Sequence, residues 1–226
     1  MFDNNYRAVI ADNDESKAIH FNLRYQVYCL EKKFEPTERF QKQQEIDPYD
    51  ARSIHFLIQH RYTGEWVGTA RLVPGTAESL PIARHAEFSL PADQASGKTL
   101  AELSRLSILK SFRRHGRETR VSEPEILLGL IRAAREYSND HGIDSWLFLC
   151  RRSIMRIVGN LGMEMRIIGA PCEHRGIRYP YFADMATAFD GIPDRSPAVA
   201  AMFARKNTLI PYSSLHSRGS RQPLAA

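Results

Sequence analysis

The chain has 226 residues, of which 43% are hydrophobic and 25% are charged, and its formal net charge is +5. These values are ordinary for a globular protein, and no apolar run reaches the roughly 18 residues that a membrane-spanning helix needs. The length predicts a single domain over residues 1–212. The Ser-, Gly- and Arg-rich segment 213–226 is expected to be a disordered tail.

Charge and cysteine content narrow the class of protein further. The first residues lack a basic region followed by an apolar core, so no signal peptide is predicted. Cys29, Cys150 and Cys172 are widely spaced without a CxxC pair, which predicts reduced thiols in the cytoplasm and neither a disulfide framework nor a metal site. The positive charge favours an anionic partner, but no stacking aromatics or recognition helix accompany it, so nucleic acid is not expected.

The first half of the chain reads as a helix followed by a hairpin. Apolar residues three or four apart predict a helix over residues 15–33, with one buried face made by Ile19, Leu23, Val27 and Leu30. Residues 34–50 are polar and read as a loop. Residues 53–60 and 65–73 predict two strands joined by a turn, and the Pro- and Gly-containing stretch 74–100 predicts a loop.

The second half alternates strands and helices. A strand is predicted at 102–109, and a helix follows that Ser122 caps and Gly142 ends. Next come a buried strand at 146–150, a helix at 153–161 and strands at 165–168 and 181–187. The inward face of the second helix is predicted to consist of Ile154, Ile157, Val158 and Leu161. This order predicts an α/β fold with a mixed sheet flanked by helices.

The strand at 102–109 carries an unusual carboxylate. Side chains alternate between the two faces of a strand, which places Glu102 and Ser104 on one face and Arg105 on the other. A buried carboxylate costs several kcal/mol unless it is paired or used. Glu102 is therefore either a general base that takes a proton from an attacking amine, directly or through water, or the partner of Arg71 or Arg105. Both interpretations can hold together.

Three further groups of residues are candidates for a functional role. Asp47 and Asp50 can bind an ammonium group, pair with arginines, or simply form a solvated turn. Arg24 and Tyr28 lie four residues apart and share a helix face. The loop Arg113-Arg114-His115-Gly116-Arg117 stands between a strand and a helix, where backbone N–H groups and arginines can bind a phosphate; the plain interpretation is a solvated basic turn.

Taken in order, these segments resemble the acyl-homoserine lactone (autoinducer) synthases. The chain is more similar still to the related N-acyl amino acid synthases, including the group found with PEP-CTERM/exosortase gene sets. The resemblance covers residues 20–185 and rests on four segments: Leu23–Tyr28 with Phe34, Glu45-x-Asp47-x-x-Asp50, Gly68–Val73, and Glu102–Arg105. It implies the GNAT acyltransferase fold.

The resemblance also implies the chemistry and the residues. It implies transfer of a fatty acyl group from acyl carrier protein, or from acyl-CoA, to the amine of an amino acid, with no permanently bound cofactor and no metal. Glu102 and Ser104 would be catalytic, with backbone donors near a strand bulge after Ser104 stabilising the oxyanion. The acceptor site would comprise Arg24, Tyr28, Phe34, Asp47, Asp50, Arg71 and Arg105. The phosphopantetheine phosphate would lie against Arg113, Arg114, Gly116 and Arg117.

Departures from the family pattern separate the alternatives. Autoinducer synthases carry tryptophan where Phe34 and Ala101 stand here, which weighs against S-adenosylmethionine as the acceptor. Glu118 stands where the phosphate loop has a small residue, which favours a carrier protein over the more highly charged coenzyme A. The alternatives are an S-adenosylmethionine-dependent lactone synthase and a non-catalytic module that binds acyl carrier protein.

Overall fold

A large mixed sheet organises the molecule. The computed structural model describes residues 2–91, 97–113 and 123–217. Within them, nine strands form a sheet in the order β6-β8-β5-β4-β3-β2-β1-β9, with β7 paired to β8. The strands are β1 (Tyr6–Ile10), β2 (Ile54–His60), β3 (Trp66–Gly75), β4 (Leu100–Ile108), β5 (Ser145–Cys150), β6 (Arg166–Ile167), β7 (Cys172–Glu173), β8 (Ile177–Asp184) and β9 (Leu209–Pro211).

Helices cover both faces of this sheet. They are α1 (Phe2–Asn5), α2 (Asp14–Tyr25), α3 (Glu123–Asp140), α4 (Arg152–Asn160), α5 (Ile192–Arg195), α6 (Pro197–Phe203) and α7 (Ser213–Ser217). Strand alternation divides the core between the faces. Phe56 and Ile58 of β2 pack in the cluster that contains the α3 side chains, whereas Leu57 packs with Leu23 of α2 on the other side.

Strands β4 and β5 stop pairing after three residues, and the gap that opens between them forms the candidate site. Their parallel pairing runs only from Leu100 to Glu102 on β4 and from Ser145 to Leu147 on β5. On its other edge, β4 pairs antiparallel with β3, with a register shift opposite Arg105, whose φ is +51°. A β-bulge of this kind bends a strand and re-aims its side chains. The bulge therefore turns β4 away from β5 just beyond Glu102.

The structure confirms the α/β fold class with a mixed sheet flanked by helices. The predicted first helix, the hairpin, the strand that carries Glu102 and the two helices that follow it are all present. The sequence analysis did not predict strands β1 and β9, nor the short helices α5 and α6. The predicted cap Ser122 lies outside the described residues.

Three predictions of local environment are wrong. Leu30 is 54% exposed because α2 continues as a π-helical turn, Gln26–Glu31, whose extra residue rotates Leu30 out of the apolar face. Ile157 is 48% exposed because it lies at the edge of the stripe in which Val158 is buried. Residues 213–217, assigned to a disordered tail, form α7, where Ser213 donates hydrogen bonds to Asp12.

Two findings bear on the class of protein. No helix in the part of the chain that the structure describes has the length and apolarity needed to cross a bilayer. Cys29, Cys150 and Cys172 are free thiols. Burial raises the pKa of the Cys150 thiol to about 12, so at neutral pH this side chain is a protonated, unreactive thiol.

Candidate active site

A cavity of about 160 Å³ occupies the gap between the diverging strands. One end is polar, where Glu102, Ser104 and Arg105 reach it from β4. The other end is apolar and is lined from α3, β5 and α4 by Leu127, Ile131, Trp146, Phe148, Ile154, Met155 and Val158. Such a cavity matches a ligand that joins an apolar chain to a polar reacting group.

Glu102 is the carboxylate that lines the polar end. It is only 4% exposed, and its Oε2 accepts a hydrogen bond of 2.5 Å from the backbone N–H of Ile82. Ile82 belongs to the 3₁₀ turn Pro81–Arg84 that leads away from β3. Among the described residues, no basic side chain lies within 4 Å of the Glu102 carboxylate, so the predicted ion pair with Arg71 or Arg105 is not formed.

The protonation equilibrium of Glu102 suits proton transfer at neutral pH. Burial raises the pKa of this carboxyl group to about 7, and the Ile82 amide, Arg71 and Arg105 offset only part of that effect. A general base is most effective when its pKa is close to the working pH. Glu102 therefore combines access to the cavity with a pKa at which it can both accept and release a proton.

The bulge in β4 decides how the next residues face the cavity. Regular pairing with β3 joins Ser104 to Arg71 and Ser107 to Thr69, which leaves Arg105 and Leu106 outside the regular register. The two-residue alternation predicted from the sequence consequently fails here, and Ser104 and Arg105 both line the cavity. The predicted bulge after Ser104 is present.

Behind the polar end, three arginines and three carboxylates form a buried network. Arg24 donates to Glu45 at 2.5 Å and to Asp50 at 2.6 Å. Arg71 donates to Asp47 at 2.6 Å and to Asp50 at 2.8 Å. The network reaches the cavity through Arg105, which donates to Glu45 at 3.2 Å and to Asp47 at 2.9 Å.

The members of the network differ in burial and in access to the cavity. Arg24 and Arg71 are fully buried, and these two guanidinium groups hold the pKa of Asp50 near 2 despite burial. Of the predicted acceptor-site residues, Arg24, Asp47, Asp50 and Arg71 do not line the cavity. Asp47 pairs with Arg105, and Arg71 donates to the Ser104 hydroxyl at 3.4 Å, so these two residues contact side chains that do line it.

Tyr28 and Phe34 flank the same end. Tyr28 lines the cavity, and its hydroxyl donates to the Leu106 carbonyl at 3.3 Å, directly beyond the bulge. The Phe34 ring lies 6.1 Å from the Tyr28 ring and lines a neighbouring surface depression rather than the cavity. Phe34 therefore supports Tyr28 in this structure.

The predicted phosphate loop is only partly described. Arg113 makes a bidentate pair with Glu31 and does not line the cavity. Arg114, Gly116 and Arg117 lie outside the described residues. Phosphopantetheine binding by this loop stays a prediction.

The sequence analysis missed one wall of the cavity. His174 and Arg175, from the turn between β7 and β8, and Arg178, at the start of β8, line the cavity together with His85. The basic run His174-Arg175-Gly176 was a visible signal, but nothing in the sequence placed it near Glu102. The apolar lining also went unrecognised, since core and cavity side chains have the same composition.

Comparisons with known proteins show which proteins share this fold. Residues 23–121 match the family model described as an acetyltransferase (GNAT) domain. No curated protein shows a significant sequence match to the chain.

Several solved structures have the same fold. One is the CoA-dependent acyl-homoserine lactone synthase BjaI, solved with MTA. It aligns with a TM-score of 0.65 and 18% identity over 91% of this chain and 93% of BjaI. BjaI has also been solved with SAM and isopentyl-CoA. FeeM, an N-acyl amino acid synthase from uncultured soil microbes, aligns with a TM-score of 0.56 and 16% identity over 82% of this chain and 94% of FeeM. The AHL synthase LasI aligns with a TM-score of 0.55 and 17% identity over 83% and 96%, respectively. At such identities the likeness shows a shared fold.

Proposed function

We propose that this chain, which has the GNAT fold, is an N-acyltransferase that joins a fatty acyl group to the amine of an amino acid. The observation that carries the proposal is Glu102, a carboxylate with a pKa of about 7 at the end of an apolar cavity. An apolar chain in the cavity would place its thioester carbonyl beside Glu102 and Ser104. The likeness to FeeM and to BjaI supports the same reaction class.

The proposed reaction forms an amide and releases a thiol. The amine nitrogen attacks the thioester carbonyl, the C–N bond forms and the C–S bond breaks. Glu102, directly or through water, accepts the proton that the nitrogen loses, and a proton returned from Glu102 converts the departing thiolate to the thiol. Backbone groups at the Arg105 bulge are the candidates for stabilising the oxyanion, because they stand outside the regular register with β3. Holding both substrates in one cavity supplies much of the rate.

The donor is proposed to be acyl carrier protein in the cytoplasm, with acyl-CoA as the alternative. The net charge of +5 favours an acidic carrier through long-range attraction. BjaI is described as CoA-dependent, and this likeness supports the alternative donor. Parallel assays with one acyl chain on each donor distinguish them by their kcat/KM values.

A second candidate is a lactone synthase that uses S-adenosylmethionine. BjaI, solved with SAM and with MTA, favours it. This reaction releases methylthioadenosine and an acyl-homoserine lactone, and both are detected by mass spectrometry. Their appearance with purified protein, acyl donor and S-adenosylmethionine would replace the amino acid proposal.

The test of the main proposal is product formation by Glu102 variants. Purified protein is incubated with acyl donor and a mixture of the twenty amino acids, and N-acyl amino acids are measured by mass spectrometry. We expect Glu102→Gln to lower kcat by about 10²–10⁴-fold, the usual contribution of a general base. Glu65→Gln, in the exposed hairpin turn, is the matched control and should keep full activity.

Two outcomes would contradict the proposal. Equal product with Glu102→Gln and with the wild type would remove the catalytic role of Glu102. Tight binding of acyl carrier protein with no turnover on any amine would favour the non-catalytic carrier-binding module instead.

A further inference from the structure

One wall of the cavity carries positive charge that the protein does not neutralise. This wall comes from the turn between β7 and β8, which contributes His174 and Arg175, and from the start of β8, which contributes Arg178; His85 lines the cavity beside them. The cations at the polar end differ in their partners. Arg105 is held by Glu45 and Asp47, and Arg175 is paired with Glu35.

Arg178 differs from both because its hydrogen bonds go to neutral groups. Its Nε donates to the His174 carbonyl at 2.6 Å, and its Nη1 makes a long contact of 3.5 Å with the Leu149 carbonyl. Among the described residues, no carboxylate lies within 4 Å of its guanidinium. Burial lowers the pKa of Arg178, as expected for a cation that the protein desolvates without a counter-ion. The unmatched charge faces the cavity that Glu102 also lines.

The two histidines of this wall contact each other and add no charge at neutral pH. The ring centroids of His85 and His174 lie 3.9 Å apart. Burial lowers the pKa of His174 to about 4, and that of His85 is also lowered, so both are neutral at pH 7. Arg178 is therefore the cation of this wall that is left to bind an incoming anion.

Resting on the proposed acyl transfer, we infer that Arg178 binds the carboxylate of the acceptor amino acid. A guanidinium matches a carboxylate in a planar, two-point contact. The carboxylate of an α-amino acid is one carbon away from the reacting amine. An anion held at Arg178 would thus keep the nitrogen within the small cavity that contains Glu102 and Ser104.

The phosphate of the acyl donor is the other anion that an arginine could receive. That phosphate lies at the far end of the pantetheine arm from the thioester, whereas Arg178 shares a cavity of about 160 Å³ with the proposed base. The position of Arg178 therefore favours the acceptor carboxylate. The two sources predict different kinetics, since loss of a phosphate contact raises the KM of the donor and loss of a carboxylate contact raises that of the acceptor.

The experiment compares an accepted amino acid with its decarboxylated amine. The amino acid that gives most product with the wild type is chosen, and kcat/KM is measured for it and for the amine of the same side chain. We expect the wild type to prefer the amino acid by at least about tenfold, because charge-assisted hydrogen bonds contribute roughly 1.5–3 kcal/mol.

Arg178→Gln should lower this preference by about 10–100-fold, through a higher KM for the amino acid. Activity on the decarboxylated amine and the KM of the donor should not change. Arg178→Lys, which keeps the charge without the planar fork, should be intermediate. Arg156→Gln, an exposed arginine away from the cavity, is the matched control. The ratio of two substrates on one preparation is insensitive to the fraction of folded protein.

Every other result contradicts either the inference about Arg178 or the proposed function. If the wild type acylates amines without preferring the carboxylate, or if Arg178→Gln leaves the preference unchanged, the inference is wrong and the proposed function stands. A rise in the donor KM alone would assign Arg178 to the phosphate. If the wild type acylates no amine, the proposed function fails, and the inference fails with it.

Discussion

At the scale of single residues, the environment of Glu102 decides its chemistry. The sequence allowed a base or one half of an ion pair, and the structure shows a carboxylate bonded to a backbone amide instead. A direct ion pair would have lowered the pKa of this group, whereas burial raises it to about 7. Loss of hydration, which the Ile82 amide and the more distant Arg71 and Arg105 offset only in part, is the physical reason why Glu102 can exchange a proton at neutral pH.

The pH dependence of turnover should therefore contain the titration of Glu102. The base is active when ionised, so kcat/KM should fall as the pH drops below about 7. Deprotonation of the acceptor amine adds its own dependence at higher pH. A pH–rate profile of the wild type should show both slopes, and the residual activity of Glu102→Gln only that of the amine. A bend near 7 that persists in Glu102→Gln would assign it to another group.

The buried network makes a separate prediction about stability. Asp50 accepts hydrogen bonds from both Arg24 and Arg71, which are fully buried. Removing one member of a buried ion pair leaves uncompensated charge and costs about 3–5 kcal/mol. We expect Asp50→Asn to lower the free energy of unfolding by about that amount in urea titrations. Asp194→Asn, at an exposed position in α5, should cost less than about 0.5 kcal/mol.

At the scale of elements, the short pairing of β4 with β5 creates space that helix α4 then lines. Ile154, Met155 and Val158 reach the cavity from this helix, while Ile157 faces solvent. The helical pattern in the sequence placed Ile154 and Val158 correctly on an apolar face, but it wrongly included Ile157. It could not show that this face borders an open space rather than a filled core.

The lining of α4 should set the length of the acyl chain. Met155→Trp places a larger side chain at the apolar end of the cavity. We expect kcat/KM to fall by at least about tenfold for the longest acyl chain accepted by the wild type, with little change for short chains; each lost methylene contact contributes about 0.8 kcal/mol. A series of donors of increasing chain length provides the measurement.

Ile157→Trp is the matched control because it alters the exposed side of the same helix. Equal chain-length profiles for Met155→Trp and the wild type would show that the acyl chain does not occupy this cavity.

At the scale of the whole molecule, a pair of histidines between the sheet and α2 links folding to pH. The ring centroids of His20 and His55 lie 4.4 Å apart, and both side chains are buried. Burial lowers the pKa of His55 to about 4 and that of His20 well below its usual value. The folded state therefore holds the His55 ring neutral at pH 5–7, and burial likewise opposes protonation of His20.

Acid should destabilise the fold through these rings. In the unfolded chain a histidine takes up a proton near pH 6.5, whereas folded His55 does so only near 4. The unfolded state therefore binds more protons between these values, and the free energy of unfolding falls as the pH is lowered through this interval. His55→Leu should reduce that fall by up to about 2 kcal/mol in urea titrations at pH 6.5 and 4.5. An identical fall in both proteins would show that His55 does not contribute.

The sequence by itself determined the α/β class, the strand that bears Glu102 and the hairpin before it, because these follow from local periodicity and turn residues. The family resemblance, rather than periodicity, singled out the residues of the network. Tertiary structure decided which of them reach the cavity: Arg105 does, while Arg24, Asp50 and Arg71 are enclosed behind it.

Arg178, at the start of β8, and Ile82, whose N–H donates to Glu102, are 76 and 20 residues away from Glu102 in the chain, respectively. Periodicity in the sequence does not predict these long-range contacts, because they depend on where β4 bends away from β5. The desolvation that sets the Glu102 pKa arises from the same packing, so the residue could be named from the sequence, but its protonation behaviour could not.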